Sequence, residues 1–154
     1  MSQTADFPSV TPRFLLPLLF PGQAQKEFFF NQAISALDSL TQISVEDSVS
    51  TEPTTPAEGS IYRVTASATG SWSTREDQLA MRIGGAWQFA SPFAGMQIFD
   101  RSVGRYVFYS NGWNAPTEPV AITGGSTVDV EARTAIAELV EALRIAGIFS
   151  MPNV

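Results

Sequence analysis

Carboxylates are the side chains that we consider as catalytic groups in this chain. Cysteine and histidine are both absent from its 154 residues. Their absence excludes thiol proteases, disulfide frameworks, cysteine or histidine zinc sites and histidine-based acid–base catalysis. Two adjacent acidic pairs remain, Glu46–Asp47 and Glu76–Asp77. Glycoside hydrolysis needs two carboxyl groups facing each other across a cleft, and sequence neighbours rarely converge in that way. We therefore interpret both pairs as solvated loop charges.

No other residue pattern points to a reaction or to a bound metal. A calcium loop of the D-x-D-x-D-G type is missing from the sequence, so we expect no metal site. We also expect no catalytic residue, no cofactor and no enzyme activity. A polysaccharide hydrolase stays open only as a weak alternative.

The charge balance restricts the class of partner. The net charge is −6, and the nine lysines and arginines are scattered along the chain. This balance argues against nucleic acid or an anionic membrane as partner. Only 16% of residues are charged, against about a quarter in typical soluble domains, which suggests that some surface is shared with neighbouring chains. The apolar run at residues 14–20 is too short to cross a bilayer, which needs about 20 residues, and no basic segment precedes it as in a secretion signal.

Three tryptophans could bind a ligand or fill a core. Trp72, Trp87 and Trp113 each follow a turn glycine by one or two residues. Aromatic faces suit sugar rings, so we keep all three as glycan-binding candidates. Packing beside each turn is the competing interpretation and the one we favour, because aromatic side chains supply much of the core energy of small β domains.

The first 21 residues predict an extended arm. They contain Pro8, Pro12, Pro17 and Pro21, and prolines at this density exclude a continuous helix. An arm this apolar must lie across its own domain or across another chain. We expect assembly contacts from large apolar side chains of the arm and of the helix that follows it. These are Phe14, Leu15, Leu16, Leu18, Leu19, Phe20, Phe28 and Phe29.

Residues 22–118 predict a helix followed by a small β domain. Helical spacing from about 23 to 41 places apolar side chains on one face, namely Phe30, Ala33, Ile34, Leu37 and Leu40. The polar stretch 46–60 reads as a loop. From Ile61 onward, short β-branched and aromatic segments alternate with turn signals such as Gly84–Gly85 and Asn111–Gly112. This texture predicts an antiparallel β-meander of four to six strands.

Residues 119–126 read as a linker and 127–149 as a closing helix, so the fold class is α+β. Five positions of that helix follow a heptad-like spacing, Ala132, Ile136, Leu139, Leu143 and Ala146. The seam spans about two heptads, fewer than a coiled coil requires by itself. We expect an oligomerisation helix, with packing on its own sheet as the alternative.

The motifs assembled so far resemble one family. "LPLLFPGQAQKEFFFNQAISALDSL" is similar to the N-terminal signature of the DUF2793 domains of bacteria. The matching positions are Leu16, Pro17, Gly22, Gln23, Ala24, Gln25, Lys26, Asn31, Ala33, Leu37 and Asp38. The segments "PAEGSIYRV", "ATGSWS", "GGAWQFASPFAGMQIFD", "YSNGW" and "GGSTVDVEARTAIAELVEAL" are also similar, so the resemblance covers about residues 12–149.

The resemblance implies a virion protein of tailed phages, prophages or gene transfer agents, encoded near tail-fibre and spike genes. It implies a spike or fibre base, or an adaptor for a separate fibre, that forms a homo-oligomer and supports host attachment. We expect a trimer or a pentamer that contacts capsid, tail or fibre subunits. It would be assembled in the bacterial cytoplasm and lie on the particle surface, without membrane insertion. The alternative is a carbohydrate-binding module that recognises host capsule or cell-wall polysaccharide through the tryptophans.

Overall fold

Two α-helices and eight short β-strands make up the computed structural model, which describes residues 16–19 and 22–152. The elements run in the order α1 (Lys26–Thr41), β1 (Ser44–Val45), β2 (Asp47–Val49), β3 (Ile61–Val64), β4 (Leu79–Ile83), β5 (Ala86–Ala90), β6 (Gln97–Asp100), β7 (Arg105–Tyr109), β8 (Trp113–Asn114) and α2 (Val130–Ile145). The predicted α+β class is confirmed. Helix α1 begins three residues later than expected, and α2 is shorter at both ends than the predicted 127–149.

The strands divide between two four-stranded sheets. One has the order β1-β6-β7-β8 and the other the order β2-β3-β4-β5. Each sheet is a three-stranded antiparallel unit whose first strand also pairs in parallel with a very short edge strand. The predicted turns Gly84–Gly85 and Asn111–Gly112 connect β4 to β5 and β7 to β8, with positive φ at all four residues.

The short edge strands were not predicted, and the expectation of a loop over 46–60 is wrong at its start. Strand β2 lies inside that stretch, and only Glu46 separates it from β1. The Arg101 amide donates to the Val45 carbonyl at 3.0 Å in the first sheet, and the Glu46 amide donates to the Ile61 carbonyl at 2.8 Å in the second. The backbone of residues 44–49, the crossing segment, therefore passes from one sheet directly into the other.

A buried carboxylate reinforces the crossing segment. Asp100, at the end of β6, is only 2% exposed. Its side chain accepts hydrogen bonds from the Ser48 hydroxyl and from both the amide and the hydroxyl of Ser102. Arg63 Nε of β3 donates to the same Ser48 hydroxyl at 2.7 Å. The network links β6 of one sheet to β2 and β3 of the other, and it satisfies an acidic group that would otherwise be costly to bury.

The main core lies between the two sheets and α1. Its buried members are Ala36, Leu40, Val45, Ile61, Leu79, Met81, Ile83, Ala90, Met96, Ile98 and Val107. A second, smaller cluster lies on the other face of β3, β4 and β5, where a short 3₁₀ turn places Trp72 over Val64 and Ala80. The sheet β2–β5 is therefore covered on both faces.

Replacing Asp100→Ala should strongly destabilise the domain, because Ser48 and Ser102 would lose a buried, charged acceptor. Hydrogen bonds to charged groups contribute about 1.5–3 kcal/mol each. We expect the free energy of unfolding in denaturant titrations to fall by about 2–4 kcal/mol. Glu46→Ala is the matched control, because it removes only the exposed pair between Glu46 and Arg101 and should cost less than about 1 kcal/mol. Equal effects of the two substitutions would contradict the role of the buried network.

Candidate assembly surfaces

Helix α1 directs several of its large apolar side chains away from the core. The buried residues of α1 are Ala36 and Leu40. Phe30, Ile34 and Leu37 are 53%, 49% and 51% exposed, and their spacing places them along one line of the helix. We call these three residues the α1 stripe. Of the apolar face predicted from the sequence, Leu40 lies in the core and Ala33 is half-buried. The α1 stripe faces outward.

The predicted assembly residues of the arm and of the start of α1 differ in exposure. Phe14, Leu15 and Phe20 lie outside the described residues. Leu16 packs against the main core and Leu18 is half-buried, whereas Leu19 is exposed. Phe28 is also exposed and meets the half-buried Phe29 edge to face at 5.6 Å between ring centroids.

Helix α2 has no buried residue, although its sequence is amphipathic. Asp129 begins the helix as N-cap and accepts from the Ala132 amide at 2.8 Å. Of the five predicted seam positions, Ala132, Ile136, Leu139 and Ala146 are exposed and Leu143 is half-buried. Leu139, in the middle of the seam, is 59% exposed. The expected packing partner of this seam is therefore not supplied by the described part of the same subunit.

The stretch before α2 does not run freely but returns along one side of the helix. Arg144 forms a two-pronged ion pair with Glu118, and it also bonds Glu141 at 3.0 Å. Hydrogen bonds to Glu118, and next to Glu141, raise the pKa of Arg144 above its ordinary value. Arg133 Nη2 donates to the Gly124 carbonyl at 2.7 Å. We call these contacts the clamp. Sequence reasoning missed it, because Glu118 and Arg144 are 26 positions apart.

The C-terminal end of α2 is attached to the outer face of β6 and β7. The Tyr106 amide donates to the Gly147 carbonyl at 2.6 Å, and the following Phe149 is buried. Gly147 has φ +75°, and a Cβ on it would lie 3.1–3.2 Å from ring atoms of Tyr106 and Phe99. The joint therefore requires glycine both for its conformation and for its closeness to the two rings.

The three tryptophans occupy different environments. Trp72 is completely buried, so its ring cannot stack on a sugar, and it is wrong as a glycan-binding candidate. Trp113 is half-buried, and its Nε1 donates to the Asp77 carbonyl at 2.8 Å. Trp87 is half-buried, packs edge-on against Trp72 at 5.1 Å, and holds the Arg82 guanidinium over its ring at 5.3 Å.

Trp87 also borders an open groove of about 380 Å³ beside β5, which Leu16 and Pro17 line as well. Gln32, Gln88, Phe89 and Arg75 contribute to its walls. The Arg75 guanidinium lies 4.8 Å from the centroid of the Phe89 ring. The groove therefore combines two aromatic side chains with amide and guanidinium donors.

The acidic pairs hold local structure. Glu46 pairs with Arg101, and Asp47 accepts from the neighbouring Ser48 amide. Glu76 accepts from the Ala68 amide. Within residues 16–19 and 22–152, no group of three or more acidic side chains is placed to hold a metal ion. In the same part of the chain, neither helix is long and apolar enough to cross a membrane.

The fold and its surfaces define a small α+β domain with two helices that expose apolar side chains and two sheets between which the chain passes at the crossing segment and again at residues 91–96. Residues 30–114 match the family model described as "Protein of unknown function (DUF2793)". The match covers more than half of the chain, so the chain belongs to this family. It extends from α1 through β8 and leaves out α2 and the clamped stretch before it. A search of curated proteins finds no match.

Replacing Gly147→Ala should loosen the attachment of α2. The new Cβ would be strained at positive φ and would push against the rings of Tyr106 and Phe99. We expect the free energy of unfolding to fall by about 1–3 kcal/mol, with faster hydrogen exchange at the Tyr106 amide. Gly124→Ala is the matched control, since Gly124 has space for a Cβ and no positive φ. Unchanged exchange in the Gly147 variant would contradict the proposed joint.

Proposed function

We propose that the chain is a structural subunit of a phage-like particle, a spike or fibre base or adaptor, that assembles as a cyclic oligomer and supports host attachment. The observation that carries the proposal is helix α2, whose 16 residues include none that is buried. Isolated helices of about this length are marginal in water. A helix that leaves Leu139, Ile136 and Ile145 exposed is better explained by contact with another chain.

The energetics favour self-association over an isolated subunit. Burying a leucine or isoleucine side chain contributes about 1.5–3 kcal/mol, and both helices offer several such side chains. The cysteine-free and histidine-free composition and the local roles of the acidic pairs agree with a structural role instead of a catalytic one.

The placement in a phage-like particle rests on the resemblance carried by the "GQAQKE" block and the segments after it. Capsid, tail or fibre subunits are the proposed neighbours, and the particle surface is the proposed location. Cyclic symmetry of order three or five suits a spike base, because identical subunits around an axis close their contacts without leaving an open end.

Replacing Leu139→Glu should convert the oligomer into a monomer. The substitution places a charge at the centre of the exposed face of α2, and we expect the dissociation constant to rise by more than about tenfold. Size-exclusion chromatography with light scattering measures the mass. Thr134→Glu adds the same charge at an exposed position on the opposite side of α2 and should leave the oligomer intact. A wild-type chain that is monomeric at every accessible concentration would contradict self-association.

The groove beside Trp87 favours a second function, recognition of a capsule or cell-wall glycan. Carbohydrate sites commonly combine an aromatic face for the sugar ring with planar polar groups for its hydroxyls. Trp87, Gln88 and Arg75 provide these groups on the walls of one groove. With Trp72 buried, Trp87 is the stronger of the two remaining candidates.

A glycan array tests this second function. If the groove binds glycan, Gln88→Ala should weaken the signal by about fivefold or more, as expected for one or two lost hydrogen bonds, and Trp87→Ala should abolish it. Because Trp87 also packs on Trp72, near-ultraviolet circular dichroism must show that each variant remains folded. Trp113→Phe, on the other sheet, is the control and should retain binding. An array without signal for the wild-type oligomer would refute this second function.

A further inference from the structure

We propose that the α1 stripe of each subunit is covered by helix α2 of the next copy, with the two helices antiparallel. The inference rests on the self-association proposed above and names the contact that produces it. It differs from a bundle in which several α2 helices meet each other around the axis.

The two surfaces complement each other in shape. The α1 stripe presents three large side chains, Phe30, Ile34 and Leu37, each about half exposed. At about 100° per residue, the uncovered face of α2 is centred on Leu139, has Ile136 at one edge, and otherwise exposes mostly small residues. These are Ala132, Ala135, Ala142 and Ala146. Large side chains of one helix insert between small side chains of another, which lets the helix axes approach closely. Both helices have 16 residues, so the α1 stripe, at positions 30–37, fits within the length of α2.

The α2 of the same subunit does not cover the stripe. It is attached through Gly147 to the rings of Phe99 and Tyr106 on the outer face of the β1–β8 sheet. Helix α1 contacts β4 of the other sheet. Among the described residues, α2 makes no extensive contact with α1 or with any strand. Each subunit therefore carries both halves of the contact but does not join them itself.

The charges beside the two faces select the antiparallel orientation. Glu27 and Asp38 both flank the α1 stripe on the same side of the helix, about 60–80° around the helix axis from Phe30. Arg133 and Arg144 flank the face of α2 on the corresponding side, where Arg144 is already paired with Glu118 and Glu141. Each pair is separated by eleven residues. In an antiparallel arrangement Glu27 lies level with Arg144, and Asp38 lies near Arg133, which supplies the favourable charge contact.

A parallel arrangement would bring like charges together. The other flank of α2 carries Glu131 and Glu138, and in parallel packing this flank would face Glu27 and Asp38. Like charges facing each other across a helix pair are unfavourable. In the antiparallel arrangement that acidic flank lies instead on the side of Lys26.

The contact predicts a ring. A surface that meets a different surface of the next copy is heterologous, and it produces a closed ring when the rotation closes. An isologous dimer would need the same patch on both partners. The large-on-small match between α1 and α2 therefore provides a physical reason for the cyclic symmetry of the proposed assembly.

A mixing experiment tests this pairing. Ile34→Glu damages only the α1 stripe and Leu139→Glu only the face of α2, and both positions are about half exposed, so each variant should fold. Each variant alone should be monomeric by native mass spectrometry. When mixed, the intact α2 of the first should bind the intact α1 stripe of the second and form a 1:1 heterodimer that cannot grow. Asn31→Glu, beside the α1 stripe, and Thr134→Glu, on the side of α2 opposite Leu139, are at exposed positions and are controls that should assemble as the wild type does.

The outcomes separate the two proposals. A wild-type oligomer with no heterodimer in the mixture, or an Ile34→Glu variant that still assembles, would overturn the α1–α2 contact and leave self-association in place. A monomeric wild-type chain would overturn self-association itself.

Cross-linking tests the orientation independently. Because the chain has no cysteine, Asp38→Cys and Arg133→Cys can be combined and treated with a short bis-maleimide. Denaturing electrophoresis should then show a ladder that ends at the ring size. The matched combination of Glu27→Cys with Arg133→Cys leaves the Glu118–Arg144 pair intact, separates the thiols by about 16 Å along the helices and should give little ladder. Equal ladders, or a stronger one from the second combination, would overturn the antiparallel arrangement.

Discussion

The passage of one short backbone segment between two sheets is the constraint on which the rest of this domain depends. The crossing segment pairs with β6 on one side of Glu46 and with β3 on the other. The Asp100 carboxylate holds the far side of the crossing through Ser48. Because this link fixes one sheet against the other, it also fixes α1, which rests on β4, and the outer face of β6 and β7, where α2 is attached. The positions of both candidate assembly helices follow from it.

The distribution of apolar residues shows that the core of this small domain leaves several large side chains of α1 outside. Its core takes Ala36 and Leu40 from α1, while the α1 stripe, with a larger apolar area, is left outside. A helix serving only its own core would place its largest side chains inward, since burial of apolar area is the main favourable term in folding. Monomeric proteins rarely leave large contiguous apolar patches exposed. The arrangement supports the proposal above that a neighbouring subunit covers the α1 stripe.

Local signals predicted the local elements, and long-range contacts account for what was missed. The turn glycines Gly84 and Gly85 and the Asp129 cap have sequence signatures that act within a few residues, and the structure contains them. Strands β1 and β2 are two and three residues long, too short for any periodicity, and exist only through partners far along the chain. The sequence also did not reveal that the α1 stripe points outward, because the buried residues Ala36 and Leu40 and the α1 stripe follow the same helical period. Helix propensity and pattern describe each element, whereas the choice of face depends on what packs against it.

The attachment of α2 explains how an unburied helix can still present a defined surface. The joint at Gly147 fixes its C-terminal end, and the Glu118–Arg144 pair holds the preceding chain along one side. Neither contact covers Leu139, which is 59% exposed, so the helix is oriented while this apolar side chain stays available. Ordering a segment before association lowers the conformational entropy that binding must overcome. The family match covers most of α1 and both sheets and ends at β8, and α2 adds an oriented apolar face to this part of the chain.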